Sequence, residues 1–318
     1  GRAGPPPMIE VADLSFTYPR AARPAVEAIG FAVERGEIFG FLGPNGAGKT
    51  TTLRMMLGLD APTSGTVMVN GCSYKSLPKP MHQVGALLDA KAALAGCTAY
   101  QHLRWLAHAG GIPRHRVDDV LAVVGLSDVA GKRVGTFSLG MYQRLGIAGA
   151  LLGDPRILLF DEPVNGLDPE GIRWIRTLLK QLAAEGRTVL LSSHLMSEME
   201  ETADHVVVIS RGRLIADASL ADFTRHSAGT NVRVVSPQAD ALAPLLERAG
   251  ATVIGGPGEI RVTGMQSSQI GALAMAHGIE LHELTPSRTT LEAAFIALTE
   301  AGADATVTVQ SVTSMETR

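Results

Sequence analysis

The sequence predicts an α/β domain on a largely parallel sheet, followed by a small α+β domain. Three observations carry this reading. Short apolar runs at 157–160, 188–192 and 206–209 read as buried strands, with an amphipathic helix over 170–185 between the first two. Strands alternating with helices make a parallel sheet covered on both faces. A glycine-rich turn over 43–50 joins an apolar strand at 38–42 to a helical segment at 51–59. Beyond residue 223 the order becomes strand 232–235, helix 240–249, strand 252–254, strand 259–262, helix 267–277 and strand 280–283. That βαββαβ succession is the split-βαβ pattern of ferredoxin-like domains.

Composition sets outer limits. The 318 residues suffice for two domains, and 46% apolar with 19% charged residues supplies ample core. A net charge of −3 without a basic stripe carries no nucleic-acid signature. Cys72 and Cys97 have no metal-like spacing, which suits a reducing cytosol and argues against a disulfide scaffold. No run of about 18 apolar residues is present, so a second polypeptide is expected to supply any membrane part. Residues 1–7 read as a vector-derived lead-in before a natural Met8.

Along the chain, residues 9–18 alternate as a strand ending at Tyr18-Pro19, and 67–69 is a strand closed by the tight-turn pair Asn70-Gly71. From about 84 to 134 the pattern is mostly helical, after a strand at 84–88; 100–107 and 116–124 place apolar residues at helical spacing. Another helix is expected to begin near Tyr142, and a last one over 289–298. The tail 301–318, rich in Thr, Val and Ser, allows either disorder or an added edge strand.

Gly43, Pro44, Asn45, Gly46, Ala47, Gly48, Lys49 and Thr50 match the nucleotide-binding P-loop, placed between strand and helix. Backbone N–H groups at a helix N-terminus converge on one spot, where the helix dipole favours negative charge. Lys49 can reach the β/γ-phosphates, and the Thr50 hydroxyl can ligate Mg²⁺. Four apolar residues at 157–160 run into Asp161 and Glu162, and the C-terminal end of a strand is where such a sheet holds its ligand. Asp161 is therefore placed for Mg²⁺, through its water shell, and Glu162 for polarising an attacking water.

With these residues in hand, 9–223 resembles the ATP-binding subunit of an ABC transporter. Residues 43–50 correspond to its Walker A motif and 157–162 to its Walker B. Phe137-Ser138-Leu139-Gly140-Met141 stands at the LSGGQ signature, Asn165-Gly166-Leu167-Asp168 at the D-loop, and Ser192-Ser193-His194 at the switch histidine. The resemblance implies a P-loop NTPase fold of the ABC ATPase kind with a helical insert at about 84–134, the whole spanning 8–225. A ferredoxin-like accessory domain is then expected over 230–300.

It also implies roles. ATP would be held by residues 43–50 with Thr51, by the Tyr18 ring stacked on adenine, and by Ser138 and Gly140 of a second copy. Glu162 and His194 would be catalytic; Thr50 and Asp161 would hold Mg²⁺, and Asp168 would lie at the interface of a head-to-tail dimer. Two positions depart from the family pattern. Asp89 stands where the Q-loop glutamine is expected, able to approach the metal but adding negative charge, and Leu139 and Met141 replace a glycine and a glutamine of the signature. The overall likeness is to exporter ATPases acting at the cytoplasmic face of the membrane with separate permease chains, and a late Leu291-Glu292, Phe295 and Thr299 echo their accessory domains. An importer ATPase or a non-transporting regulatory ATPase are the alternatives.

Overall fold

The computed structural model describes residues 7–222 and 231–287. Two compact units follow one another, dividing between Ala218 and Ser219.

The first unit carries two sheets. Strands β1 (Ile9–Phe16), β2 (Val26–Val33) and β4 (Ser64–Val69) form an antiparallel sheet in the order β2-β1-β4. The second has the order β5-β6-β7-β3-β8-β9 and contains β3 (Ile38–Leu42), β5 (Val84–Leu87), β6 (Ile157–Asp161), β7 (Thr188–Ser193), β8 (His205–Ser210) and β9 (Arg213–Ser219). From β5 to β8 its pairings are all parallel.

All five residues of β3 are buried, as a strand covered on both faces requires. The strand expected over 9–18 ends at Phe16. Neither β2 nor the antiparallel sheet was legible, because a bulge interrupts the alternation. Asp13 and Ala28 both take positive φ (47° and 46°), and the β1–β2 register shifts between Val11 and Leu14. Phe31 of β2 packs on Phe39 and Phe41 of β3, with ring centroids 6.1 and 5.4 Å apart, joining the two sheets in one core.

Helix α1 (Lys49–Met56) follows β3 and buries Leu53, Met55 and Met56. Its three successive threonines are poor helix formers, so packing of this buried side holds it. The insert holds α2 (Ala99–Ala109), started by a Thr98–Gln101 capping box, and α3 (His115–Val123). Helix α4 (Leu139–Leu151) begins three residues before the expected start near Tyr142, because the Ser138 hydroxyl caps it by accepting from Met141 N. Helix α5 (Pro169–Ala184) buries Ile175, Leu178, Leu179 and Leu182, an i, i+3, i+4, i+7 stripe worth about 1.5–3 kcal/mol per side chain. Short α6 (Met196–Glu200) follows β7. No helix among the described residues is long and apolar enough to cross a membrane.

The second unit is one antiparallel sheet in the order β11-β12-β10-β13, with β10 (Asn231–Val235), β11 (Thr252–Gly256), β12 (Glu259–Thr263) and β13 (Glu283–Ser287). Helices α7 (Ala239–Arg248) and α8 (Ser267–Ala276) bring Leu242, Leu246, Ile270 and Ala274 into one core with Val232, Val234, Ile260 and Val262. The last strand starts three residues later than expected. Residues 280–282 are instead an irregular lead-in, with Ser236 Oγ donating to Glu280 O (2.6 Å), Glu280 N to Gln238 Oε1 (3.0 Å) and His282 N to Val235 O (2.8 Å). The helix expected over 289–298 and the tail lie outside the described residues.

Gly85 shows how tightly the insert is seated. A Cβ there would lie 2.0 Å from Ala150 O in α4 and 2.9 Å from Pro155 Cγ. Gly85→Ala is expected to lower stability by about 1–3 kcal/mol, seen as an earlier unfolding transition in urea.

Candidate functional site

The glycine turn leaves the C-terminal end of β3 and enters α1 through Gly48, whose φ is +107°. A side chain there would meet the Ala25 carbonyl, 2.6 Å from the Cβ position, so both conformation and space require glycine. The first amides of α1 have no partner within the helix and face the turn.

Lys49 is buried at 6% exposure. Its ammonium donates to Gly43 O (2.7 Å) and Pro44 O (3.3 Å) and lies 3.3 Å from Glu162 Oε1. Thr50 Oγ1 donates to Asp161 Oδ2 at 2.5 Å. These are hard oxygen donors of the kind Mg²⁺ takes. Tyr18 stands just beyond β1 with its ring 44% exposed, edge-on to Phe16 with centroids 4.8 Å apart. Its hydroxyl lies 2.9 Å from Thr51 Oγ1, which keeps the ring beside the turn. At the far end of α1, the two hydrogen bonds from Arg54 to Asp60 (2.7 and 3.1 Å) hold the Asp60 carboxyl below the usual aspartate range.

Strands β6 and β7 supply the acidic side. Ser192, fully buried, donates its hydroxyl to Asp161 Oδ1 and accepts from Glu162 N at 3.0 Å. Glu162 takes the left-handed conformation, φ +49°, a cost of order 1–3 kcal/mol that the surrounding bonds sustain. Its Oε2 is 2.8 Å from His194 Nδ1, while its Oε1, facing Lys49, is buried and makes no hydrogen bond among the described residues. Lys49, Thr50, Asp161, Glu162 and His194 thus form one connected group.

Ser138 and Asp168 each cap a helix, α4 and α5, and Gly140 lies against the segment that leads into α5. Gly140 sits inside the first turn of α4 rather than before the helix, because Ser138 is its N-cap. The side chain of Leu139 lies over Gly166, and Leu167 lies against Gly140. Asp168 caps α5, accepting from Gly171 N at 2.7 Å.

Asp89 leaves β5 at the same sheet end as Asp161, since Leu87 pairs with Phe160. Its carboxylate accepts from Lys91 N (2.8 Å) and caps the turn Ala90–Ala92. No bond joins it to Thr50 or Asp161 among the described residues.

Two residues in this region were given no role by the sequence reading. Ser192 passed as one more strand position, though a hydroxyl inside a fully buried strand needs a partner. Gln143, 6% exposed on the same stripe of α4 as Ile147, donates its Nε2 to Asn165 O at 3.0 Å and lies 3.5 Å from Glu162 O. A lone amide on an apolar stripe was its signal.

A family model described as ABC transporter matches residues 26–165, and another described as a domain of unknown function matches 230–292. The bacitracin transport ATP-binding protein BcrA of Bacillus licheniformis is 36% identical over 302 residues, 93% of this chain and 98% of that protein. The chain belongs to the ATP-binding subunits of ABC transporters. The fluoroquinolones export ATP-binding protein MT2762 of Mycobacterium tuberculosis is 37% identical over 228 residues, 71% of this chain and 76% of that one. A solved structure titled as the ATP binding subunit of an ABC transporter superposes with a TM-score of 0.63 at 32% identity, covering 69% of this chain and 92% of that one. The first unit is therefore an ABC ATPase domain, and the chain is an ATPase.

In this ABC ATPase, Ser192→Ala removes the donor to one carboxylate and the acceptor for the next backbone N–H. Hydrogen bonds to charged groups are worth about 1.5–3 kcal/mol, so ATPase turnover is expected to fall about 10- to 100-fold. A phosphate-release assay at saturating ATP checks this; unchanged turnover would mean that Asp161 and Glu162 hold their places without Ser192.

Proposed function

We propose that two copies of this chain bind two ATP head to tail, hydrolyse them through Glu162 and His194, and so drive export through a separate permease. The observation that carries the reading is Glu162. Its carboxylate is held between His194 Nδ1 at 2.8 Å and the Lys49 ammonium at 3.3 Å, at the carboxyl end of β6. A carboxylate so oriented, beside a cation suited to phosphate, is placed to act on a water at the phosphate.

Phosphoryl transfer is mostly positioning and charge stabilisation. Lys49 and the backbone N–H groups of residues 45–50 offset phosphate charge, Tyr18 offers its face to adenine, and His194 keeps Glu162 oriented. Thr50 and Asp161 would hold Mg²⁺, which would supply charge neutralisation for the phosphates there. Asp89, committed to Lys91 N, would enter that shell only through water. Ser138 and the early amides of α4 form a second helix N-terminus for phosphate. In the head-to-tail arrangement each such corner closes on the partner's ATP, and Asp168 lies beside it. ATP favours closure because only the closed dimer contacts it from both sides.

Export as the direction is supported by the names of relatives, bacitracin transport for one and fluoroquinolones export for another. The permease would dock on residues 89–105, at the cytoplasmic face of the membrane. Leu94 and Trp105 are exposed there (73% and 66%), and Trp105 lines a hollow with Gln101, Arg104, His108, Ile112 and Arg114.

Glu162→Gln with ATP and Mg²⁺ is expected to double in mass by light scattering and to retain one nucleotide per copy, whereas Lys49→Ala does neither. A nucleotide-loaded Glu162→Gln protein that stays monomeric would overturn the dimer. Leu94→Glu or Tyr100→Glu should lose cargo-stimulated ATPase in vesicles with the copurifying permease while keeping ATP affinity. Full stimulation in both would remove the docking surface.

A further inference from the structure

Gln143 belongs to the signature helix, yet its amide is spent on the segment that carries Glu162. It donates to Asn165 O at 3.0 Å, and Glu162 O lies at 3.5 Å, the outer limit of a hydrogen bond. The same segment is folded on itself by Asn165 N donating to Glu162 O (3.1 Å) and Leu167 N to Val164 O (3.1 Å). Four residues N-terminal to Gln143, Leu139 lies over Gly166 of that segment. On the neighbouring position Arg144 lies 4.1 Å over the Trp174 ring in α5 and donates to Val124 O at 2.9 Å. Helix α4 is therefore held to the D-loop segment and α5 as one piece, and Gln143 is the polar link that reaches the backbone of Glu162.

Two features say that this link does more than fill space. The Gln143 Oε1 atom is buried without a hydrogen bond among the described residues, so the amide is not there to satisfy itself. A thioether of equal length would fill the site without a stranded acceptor. The second is the 3.0 against 3.5 Å pair of carbonyls, which lets a small shift of α4 trade one acceptor for the other. That exchange would tug on the backbone of a glutamate already held at φ +49°.

We propose that Gln143 is a positioning residue that transmits the placement of the signature corner to Glu162, and so couples the two nucleotide sites of the dimer. The inference rests on the head-to-tail dimer proposed above. In that dimer the N-terminus of α4 contacts the partner's ATP, while Glu162 of the same chain acts on its own. Gln143 spans the two through a single side chain.

The test compares Gln143→Met with the unaltered 318-residue chain, each also carrying Glu162→Gln in a parallel pair. Expected for Gln143→Met are a melting temperature within about 4 °C, an ATP affinity of the single copy within about twofold, and ATP-driven dimerisation retained in the Glu162→Gln pair. Turnover should nevertheless fall about tenfold at unchanged KM, with the Hill coefficient for ATP dropping to about 1. Gln143→Glu, which keeps the length but turns a donor into a charge facing two carbonyls, should lose at least as much. Unchanged turnover and Hill coefficient in Gln143→Met would overturn the proposal. So would losses of melting temperature, ATP affinity and turnover together, the mark of a merely structural residue. If Glu162→Gln alone fails to dimerise, the dimer itself is wrong, which the unaltered Gln143 arm reveals separately.

Discussion

Two adjacent carboxylates of like charge stand at the end of one buried strand, and the whole site depends on their being held apart in purpose. Asp161 is claimed by the hydroxyls of Thr50 and Ser192, and Glu162 by Lys49 and His194. Each carboxylate draws one partner from the start of the helix after β3 (Thr50, Lys49) and one from the end of β7 or the residue just after it (Ser192, His194). This works only because β6, β7 and β3 lie side by side in parallel, so that their carboxyl ends open on one space.

The fold was legible where the physics is local and continuous. Strands β3, β6 and β7 are unbroken buried runs, and buried parallel strands leave that trace. Strand β2 left none, because its alternation slips at Ala28 and Gly30 reads as a breaker. The start of α4 was hidden for the opposite reason: a leucine and a glycine follow the cap, and only the Ser138–Met141 bond shows that the helix has begun. At 280–282 the residues alternate like a strand, yet the side chains of Ser236 and Gln238 capture the backbone of Glu280 and the segment stays irregular. Such long-range capture has no local signature.

In the site, the motifs named the charged residues, but not how those residues address one another. The direct His194–Glu162 contact needs the ends of two strands to be superposed, which spacing along the chain does not supply. Ser192 and Gln143 were left without a role for a related reason. Each is an ordinary residue whose importance comes from burial beside a backbone or a carboxylate. The departures at the signature become intelligible too, since the leucine in place of a glycine has found packing over Gly166.

That packing also bears on which residues the turn can carry. At residue 166 the chain turns through φ +76°, and an added Cβ would fall 2.1 Å from Leu139 Cδ2. The backbone alone disfavours any side chain at 166, whatever stands at 139. The leucine adds a second obstacle of a softer kind, since Leu139 is 43% exposed and its methyl ends can swing outward.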